Sequence, residues 1–246
     1  MDQALVVVPT FNERATIEPL LRQVLGVDDR ISVLVVDDGS PDGTGAVVER
    51  LRGDDGRLSI VHRTGKQGLG SAYRLGLHHG VERGFDVVGE MDADLSHDPM
   101  DVPRLLDAVA AGADLAIGSR YTDGGRIVGW PAHRLALSRG GNAYVRAATG
   151  CPVRDATAGF RMYAANLVSD IDVRSIASEG YSFQLEMVLR AWQLGARIDE
   201  VPVTFTERRH GSSKLGRGVV VEAVARTARW GWAVRRGRQI PRHMAC

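Results

Sequence analysis

Short runs of β-branched residues alternate with amphipathic stretches along the first half of the chain. Buried strands are predicted at residues 5–8, 33–36, 58–61, 87–91 and 115–117. Helical spacing of apolar residues is found between them, near 13–25, 42–52, 69–83 and 100–111. Strands and helices in regular turn predict an α/β fold with a Rossmann-like, mostly parallel sheet and helices on both faces.

Polar motifs directly follow four of these strands, at residues 9–13, 37–44, 92–98 and 119–121. In parallel sheets, the loops at the carboxyl ends of the strands build the ligand site. The repeated placement therefore predicts one site along this edge of the sheet.

The second half of the chain is less regular. A loop is predicted at residues 124–131, helices at 134–148 and 182–194, and strand-like segments at 159–163 and 198–205. A last helix is predicted at 218–236, with an apolar face formed by Val220, Val224 and Ala228. The apolar residues of the 182–194 helix are expected to be core.

Charge is distributed unevenly along the chain. The net charge is +1, yet residues 207–246 hold ten Lys and Arg against two acids, which leaves 21 against 28 in residues 1–206. A basic end on an acidic body favours an anionic partner such as a phosphate group, a nucleic acid or lipid headgroups. A solvated arginine-rich helix is the alternative.

Composition narrows the class of protein. The chain has 246 residues, 44% of them hydrophobic, and two cysteines, which provide no disulfide framework or zinc pattern. The start lacks the basic region of a signal peptide, and no uncharged apolar run approaches the ~18 residues that span a bilayer. We therefore expect a cytoplasmic protein that does not cross a membrane by itself.

The acidic pair Asp92 and Asp94 ends a buried strand. Residues i and i+2 of an extended chain lie on one side, about 7 Å apart. One carboxylate can then hold a hard divalent cation such as Mg²⁺, whose remaining ligands are water and substrate phosphates. The pair Asp37 and Asp38 follows another strand and could accept hydrogen bonds from a base or a ribose.

Dinucleotide and ATP enzymes are disfavoured. The first strand is followed by Pro9, Thr10, Phe11, Asn12 and Glu13, where a dinucleotide fold would have G-x-G-x-x-G, and no Walker A pattern occurs. Cations are available instead at Arg120 and in a Gly/Ser-rich loop with Arg208 and Lys214. Such a loop can close over a diphosphate and neutralise the charge on the leaving group.

These residues together resemble the inverting family 2 glycosyltransferases, and within them the dolichol-phosphate (polyprenol-phosphate) mannose synthases. The resemblance covers residues 5–216, and its matching elements are VVVPTFNE, VVDDGSPDGT, MDADLSHDP, GSRY, AGFRMY and the run GYSFQLEMVLRAWQLGARIDEVPVTFTERRHGSSKLG. The last run is the most specific to the polyprenyl-phosphate branch.

The resemblance implies a GT-A fold over residues 1–216, followed by a basic amphipathic helix and tail at 217–246. It implies transfer of mannose from GDP-mannose to a polyprenyl phosphate, with Mg²⁺ or Mn²⁺ held by Asp94 and Ser96. Because Ser96 stands where some members have Gln, it is a shorter ligand and its contact could run through a water. The implied donor site consists of Pro9, Phe11, Glu13, Val36, Asp38, Asp92, Ala93, Ser96, Arg120, Arg208 and Lys214. Asp94, Arg120, Arg208 and Lys214 are implied to act in catalysis, and Arg120, Arg134 and Ser138 to bind the acceptor phosphate.

Alternatives remain open at this point. A sister transferase using UDP-glucose or another nucleotide sugar shares these motifs, and a non-catalytic nucleotide-sugar-binding module is a different class. The basic helix, with Trp230 and Trp232 near its arginines, is typical of helices that lie on anionic membranes. Expected partners are thus an anionic membrane surface on the cytoplasmic face and a possible membrane-anchoring subunit, and no nucleic acid.

Overall fold

A computed structural model of the chain describes residues 3–207, 217–236, 238 and 240. Its strands are β1 (Ala4–Thr10), β2 (Ile31–Asp37), β3 (Leu58–His62), β4 (Val87–Glu90), β5 (Leu115–Ser119), β6 (Arg126–Val128), β7 (Arg161–Ala164), β8 (Ile198–Pro202) and β9 (Thr204–Thr206). Its helices are α1 (Arg14–Val27), α2 (Thr44–Arg52), α3 (Leu69–Glu82), α4 (Val102–Ala110), α5 (Ala132–Thr149), α6 (Ala165–Ile171), α7 (Gly180–Gln193) and α8 (Arg217–Arg235).

The main sheet has the strand order β3-β2-β1-β4-β7-β5-β8. Strands β1 to β4 pair in parallel, as do β5 and β8, while β7 runs antiparallel to both β4 and β5. The predicted α/β fold with a mostly parallel sheet is therefore confirmed. The antiparallel insertion of β7 was not part of the prediction.

Two hydrophobic clusters cover the two faces of this sheet. Along β1, Val7 belongs to one cluster, whereas Val6 and Val8 belong to the other. This alternation follows from the period of two in a strand, and burial of both faces explains why the strands are continuous apolar runs. Helix α3 approaches β1 closely at Gly76, where a Cβ atom would overlap with the side chain of Val7.

Helix α8 packs against α5 and α7. It buries Thr227, Trp230 and Ala233, whereas Val224 and Ala228 are exposed. Val224 and Ala228 of the predicted apolar face therefore remain exposed, and the side chain of Val220 lies outside those described. Trp230, expected near a membrane surface, is part of the core instead. Residues three apart share a helix face, and the large indole of Trp230 decides which face packs on the domain.

Smaller differences concern short elements. The loop predicted at 124–131 contains β6, which pairs with β9 in a separate two-stranded sheet, and the predicted strand at 198–205 is split into β8 and β9. Helix α6 has seven residues, too few for a helical period to stand out in the sequence. Within the described part of the chain, no helix is both long and apolar enough to span a bilayer.

Candidate active site

A cleft of about 450 Å³ lies at the carboxyl ends of β1, β2, β4 and β5, as the strand-end motifs predict. Ten of the residues expected at the site line it together: Pro9, Phe11, Glu13, Asp38, Asp92, Ala93, Asp94, Ser96, Arg120 and Arg134. Ser138 lines an adjoining pocket, and Val36 is fully buried in the core rather than in the cleft wall. Arg208 and Lys214 lie outside the described residues.

One end of the cleft is formed by the loops after β1 and β2. Asp38 forms a buried ion pair with Arg63 and accepts a hydrogen bond from the backbone N–H of Gln67 at 3.1 Å. Lys66 places its ammonium 4.8 Å from the centre of the Phe11 ring. An aromatic ring, a fixed carboxylate and a cation suit a nucleoside carrying phosphates.

Asp37 has a local structural role. Its Oδ1 accepts from the Thr10 hydroxyl at 2.9 Å and from the Ser40 hydroxyl at 2.5 Å, which ties the ends of β1 and β2 together. The two adjacent acids thus differ: Asp37 supports the loops, and Asp38 lines the cleft.

Two site loops contain non-glycine residues in the left-handed backbone region. Asn12 has φ 62° between the cleft residues Phe11 and Glu13, and Leu95 has φ 60° between Asp94 and Ser96. This conformation is unfavourable for a bulky residue such as Leu, and such strain clusters at functional sites. It turns the chain sharply after β4.

The acidic centre of the cleft follows β4. Asp92 Oδ1 accepts from the Tyr73 hydroxyl at 3.0 Å, and His97 Nε2 lies 3.7 Å from Asp92 Oδ2. Burial and the nearby Asp92 raise the pKa of Tyr73 well above its usual value, so its hydroxyl stays a donor. Asp94 Oδ1 accepts from the backbone N–H of Ser96 at 3.1 Å.

The donor set fits a hard divalent cation. Ser96 is buried, and its hydroxyl oxygen has no hydrogen-bond partner among the described residues, although it lines the cleft. No cluster of three or more His, Cys, Asp or Glu side chains in the described chain forms a site on protein ligands alone. One carboxylate and one hydroxyl match an ion that takes its other ligands from water and phosphates.

Arg120 and Asp155 form a buried ion pair on the far side of the cleft. Nε and Nη2 of Arg120 donate to the carboxylate at 2.7 and 2.6 Å, and Nη2 also donates to the Thr157 hydroxyl at 3.0 Å. Burial alone would lower the pKa of Arg120 and raise that of Asp155. The mutual attraction outweighs it, raising the Arg120 pKa and lowering that of Asp155.

The cations beside this pair lie on aromatic rings. The guanidinium of Arg134 is 4.0 Å from the centre of the Trp130 ring and pairs with Glu207. Arg120 lies 5.4 Å from the same ring centre. Ser138 accepts a hydrogen bond from the Tyr121 hydroxyl at 2.7 Å. These groups form the border between the cleft and its neighbour pocket.

That neighbour, the α5–α8 pocket, is an apolar pocket of about 130 Å³ between α5 and α8. Its wall includes Leu137, Tyr144, Leu185 and Val224. It shares five residues with the cleft: Arg120, Trp130, Arg134, Thr157 and Tyr181. A polar, cation-bordered cleft therefore continues into an apolar pocket.

A buried polar layer lies beneath the acidic centre. Glu90, the last residue of β4, accepts from the Tyr163 hydroxyl at 3.2 Å and from Gln184 Nε2 at 2.6 Å. Burial raises the pKa of Glu90 to about 7. Arg161, fully buried on the neighbouring strand, donates to the backbone carbonyls of Gln184 and Ala156.

Several cleft residues had no predicted role. Lys66 follows β3, and its placement at a strand end was the available signal. The sequence carries no signal for three other cleft residues, Trp130, Thr157 and Gln184. They come from irregular segments or from a helix whose pattern indicates core. Asp155 lies in a loop far along the chain from its partner Arg120, and its role became visible only in three dimensions.

Residues 5–172 match the family described as glycosyl transferase family 2. The chain belongs to this family, and the predicted enzyme class is confirmed.

Curated relatives narrow the group. The chain is 46% identical to a polyprenol monophosphomannose synthase of Mycolicibacterium smegmatis over 230 residues, 93% of this chain and 87% of the relative. It is also 46% identical to an undecaprenyl-phosphate mannosyltransferase of Micrococcus luteus over 233 residues, 95% and 96% of the two chains. The resemblance seen in the sequence motifs is thereby confirmed.

A solved structure with the same fold is glucosyl-3-phosphoglycerate synthase of Mycobacterium tuberculosis, in complex with Mn²⁺, UDP-glucose and glycerol 3-phosphate. The TM-score is 0.65 at 21% sequence identity, covering 97% of this chain and 82% of the other. At this identity the likeness confirms the GT-A fold.

Proposed function

We propose that this chain transfers mannose from GDP-mannose to a polyprenyl phosphate, giving a β-linked polyprenyl phosphate mannose and GDP. The observation that carries the proposal is the junction of the polar cleft with the apolar α5–α8 pocket. A nucleotide sugar suits the cleft, and an acceptor with a phosphate head and an apolar chain suits the junction. The names of the two curated relatives support the same acceptor class.

The chemistry needs little from the protein beyond positioning. A phosphomonoester is largely ionised near pH 7, since its second pKa is ≈ 6, so the acceptor is already a nucleophile. Arg120, Arg134 and Ser138 border the junction and would align its phosphate. In-line attack at the anomeric carbon inverts its configuration, which turns an α-linked donor into a β-linked product.

The donor is assigned to the rest of the cleft. Pro9, Phe11, Glu13, Asp38 and the backbone beside Val36 would hold the guanosine, with Asp92 and Ala93 at the ribose and phosphates. Asp94 and Ser96 would hold Mg²⁺ or Mn²⁺, which supplies positive charge to the departing diphosphate. The Ser96 hydroxyl, which has no hydrogen-bond partner among the described residues, supports this assignment. Arg208 and Lys214 are proposed to meet the same diphosphate from the 207–216 loop.

We propose that the protein acts at the cytoplasmic face of a membrane. Both helices expose apolar side chains, Leu137 and Tyr144 on α5 and Val224 and Trp232 on α8, and α8 also exposes Arg229 and Arg235. This exposed surface, together with the basic charge of residues 217–246, suits anionic headgroups. We keep residues 1–216 as the catalytic domain and 217–246 as the membrane-contacting segment, with a membrane-anchoring subunit as a further candidate partner.

A donor panel with purified protein tests the proposal. The protein, Mn²⁺ or Mg²⁺ and a short polyprenyl phosphate are incubated with radiolabelled GDP-mannose or UDP-glucose, and lipid-linked label is measured. We expect transfer from GDP-mannose to exceed transfer from UDP-glucose by far. Equal or greater use of UDP-glucose would support the sister transferase, and donor binding without transfer would support a non-catalytic module.

A further inference from the structure

The side-chain amide of Gln184 forms a hydrogen bond through its nitrogen but, within the described part of the chain, none through its oxygen. Its Nε2 donates to Glu90 at 2.6 Å, while its Oε1 is buried and accepts no hydrogen bond from the described residues. The residue is 3% exposed and lines the cleft. A buried acceptor without a donor is unfavourable, so a ligand that supplies a donor is favoured there.

Glu90 determines which end of the amide is available. In its ionised form Glu90 is an acceptor only, so it selects the NH₂ group of Gln184 and leaves the carbonyl oxygen without a donor among the described residues. Arg161 holds the backbone of the same residue, donating to its carbonyl at 2.9 Å. The side chain is thus oriented before any ligand arrives, and preorganised acceptors of this kind discriminate well.

The position of Gln184 identifies the part of the donor it faces. Residues at the ends of β1 and β2 form the nucleoside end of the cleft, and β4 carries the acidic centre for the phosphates. Strand β7 lies on the opposite side of β4 from β1, and Glu90 and Arg161 are register partners across β4 and β7. Gln184 forms hydrogen bonds with both members of that pair and lines the cleft, so we place it where a donor extending past its diphosphate would have its sugar.

We infer that Gln184 is a specificity-determining residue that accepts a hydrogen bond from one hydroxyl of the donor's sugar, and that Glu90 is its positioning residue. The inference rests on the proposed function and deepens it. A site built to pair with a substrate hydroxyl rejects the analogue that lacks it far more strongly than an apolar pocket distinguishes a methylene group.

The test combines a change in the protein with the loss of single hydroxyls from the donor sugar. GDP-mannose and its 2-, 3-, 4- and 6-deoxy analogues are compared in wild type and Gln184→Met, a variant of similar size without the amide. We expect Gln184→Met to lower kcat/KM for GDP-mannose ~10- to 100-fold and to have little effect with the one analogue that lacks the paired hydroxyl. GDP affinity should be unchanged. Gln193→Met, at the far end of the same helix, is the matched control.

Glu90→Gln tests the positioning role through the same readout. The change keeps the size of the side chain and removes the charge that orients Gln184. The preference for GDP-mannose over the deoxy analogue that lacks the paired hydroxyl should therefore fall. Unchanged discrimination in this variant would overturn the role of Glu90.

The two hypotheses fail in different ways. A loss in Gln184→Met that is equal for every deoxy analogue would overturn the inference, as would a wild type that uses all analogues as well as GDP-mannose. The comparison of donors in the wild-type protein remains informative even if a variant fails to fold. Calorimetric binding of the same donors with Mn²⁺ gives the comparison without turnover, so discrimination in binding without any transfer would count against the proposed function alone.

Discussion

The guanidinium of Arg120 lies against the carboxylate of Asp155, with both side chains buried at the junction of the cleft and the α5–α8 pocket. Removing one partner of a buried pair costs about 3–5 kcal/mol because the other charge is left uncompensated. We therefore expect Arg120→Met to destabilise the protein by this order, measured by urea unfolding.

The double variant Arg120→Met with Asp155→Leu separates stability from function. It should recover much of the lost stability, since neither charge of this buried pair remains, yet transfer should stay low because the cation proposed to bind phosphate is gone. Recovery of activity together with stability would show that Arg120 serves only the fold.

The metal assignment predicts unequal effects at Asp94 and Ser96. Asp94→Ala should remove most turnover, and excess Mn²⁺ should not restore it, because the carboxylate positions the ion as well as attracting it. Ser96→Ala should cost much less. Binding of Mn²⁺ in the presence of GDP, followed by electron paramagnetic resonance, provides the parallel readout.

Near wild-type kcat for Asp94→Ala in EDTA-treated buffer would remove the metal role. A loss in Ser96→Ala as deep as that in Asp94→Ala would instead make the Ser96 hydroxyl a direct ligand.

The raised pKa of Glu90 predicts a dependence of stability on pH. Burial raises this pKa to about 7 from its ordinary value of 4.5. Between these values the folded protein binds the proton and the unfolded chain releases it, so stability is highest below the lower value and falls as pH rises through the upper one. Relative to Glu90→Gln, the wild type should lose about 3 kcal/mol of unfolding free energy between pH 4.5 and pH 8. Urea unfolding at both pH values measures this, and parallel curves for the two proteins would contradict it.

The exposed surface of α5 and α8 predicts reversible membrane binding. Trp232 is 53% exposed with Arg236 lying 3.8 Å from its ring centre, whereas Trp230 is buried. Trp232→Ser should weaken binding to anionic vesicles ~5- to 10-fold in co-sedimentation, and added salt should weaken it further. Met100→Ser, an exposed apolar residue on another element, is the matched control.

Truncation after residue 216 is a poor test of the same idea, because it would also remove Trp230 from the core. Vesicle binding that is unaffected by Trp232→Ser would favour docking of this surface on another protein.

The 207–216 loop gives a kinetic prediction. Lys214→Ala should lower kcat more than donor affinity, since the charge on the departing diphosphate grows in the transition state. Pre-steady-state measurement of donor Kd and kcat separates the two. A loss confined to donor Kd would make the loop a binding element only.

Local patterns were sufficient to predict much of the fold and the strand-end half of the site. Strands β1 to β5 and the cleft residues Pro9, Asp38 and Asp94 follow from apolar runs and from the polar motifs after them. These features depend on residues close together in sequence, so a period of two or 3.6 reveals them.

Features that depend on distant partners were not predictable in this way. The pairing of Arg120 with Asp155 and of Glu90 with Gln184 joins separate segments. Gln184 also lies on a helix whose apolar spacing indicates core. The prediction of Trp230 at a membrane surface was wrong for a related reason. A helix with two possible buried faces buries the one that its neighbours in the fold contact, and the sequence of the helix alone does not show which.

The position of β7 has a consequence for how the chain acquires its structure. Strand β5 emerges earlier in the chain than β7, yet in the finished sheet β7 separates it from β4. Pairing of β4 with β5 would therefore be a non-native kinetic trap. In the partial sheet β3-β2-β1-β4, the edge of β4 must stay unpaired until β7 joins it. Such non-local pairing is slow, and an open apolar edge promotes aggregation. Refolding should thus pass through a partly formed sheet, and the yield of native protein should fall as the protein concentration rises.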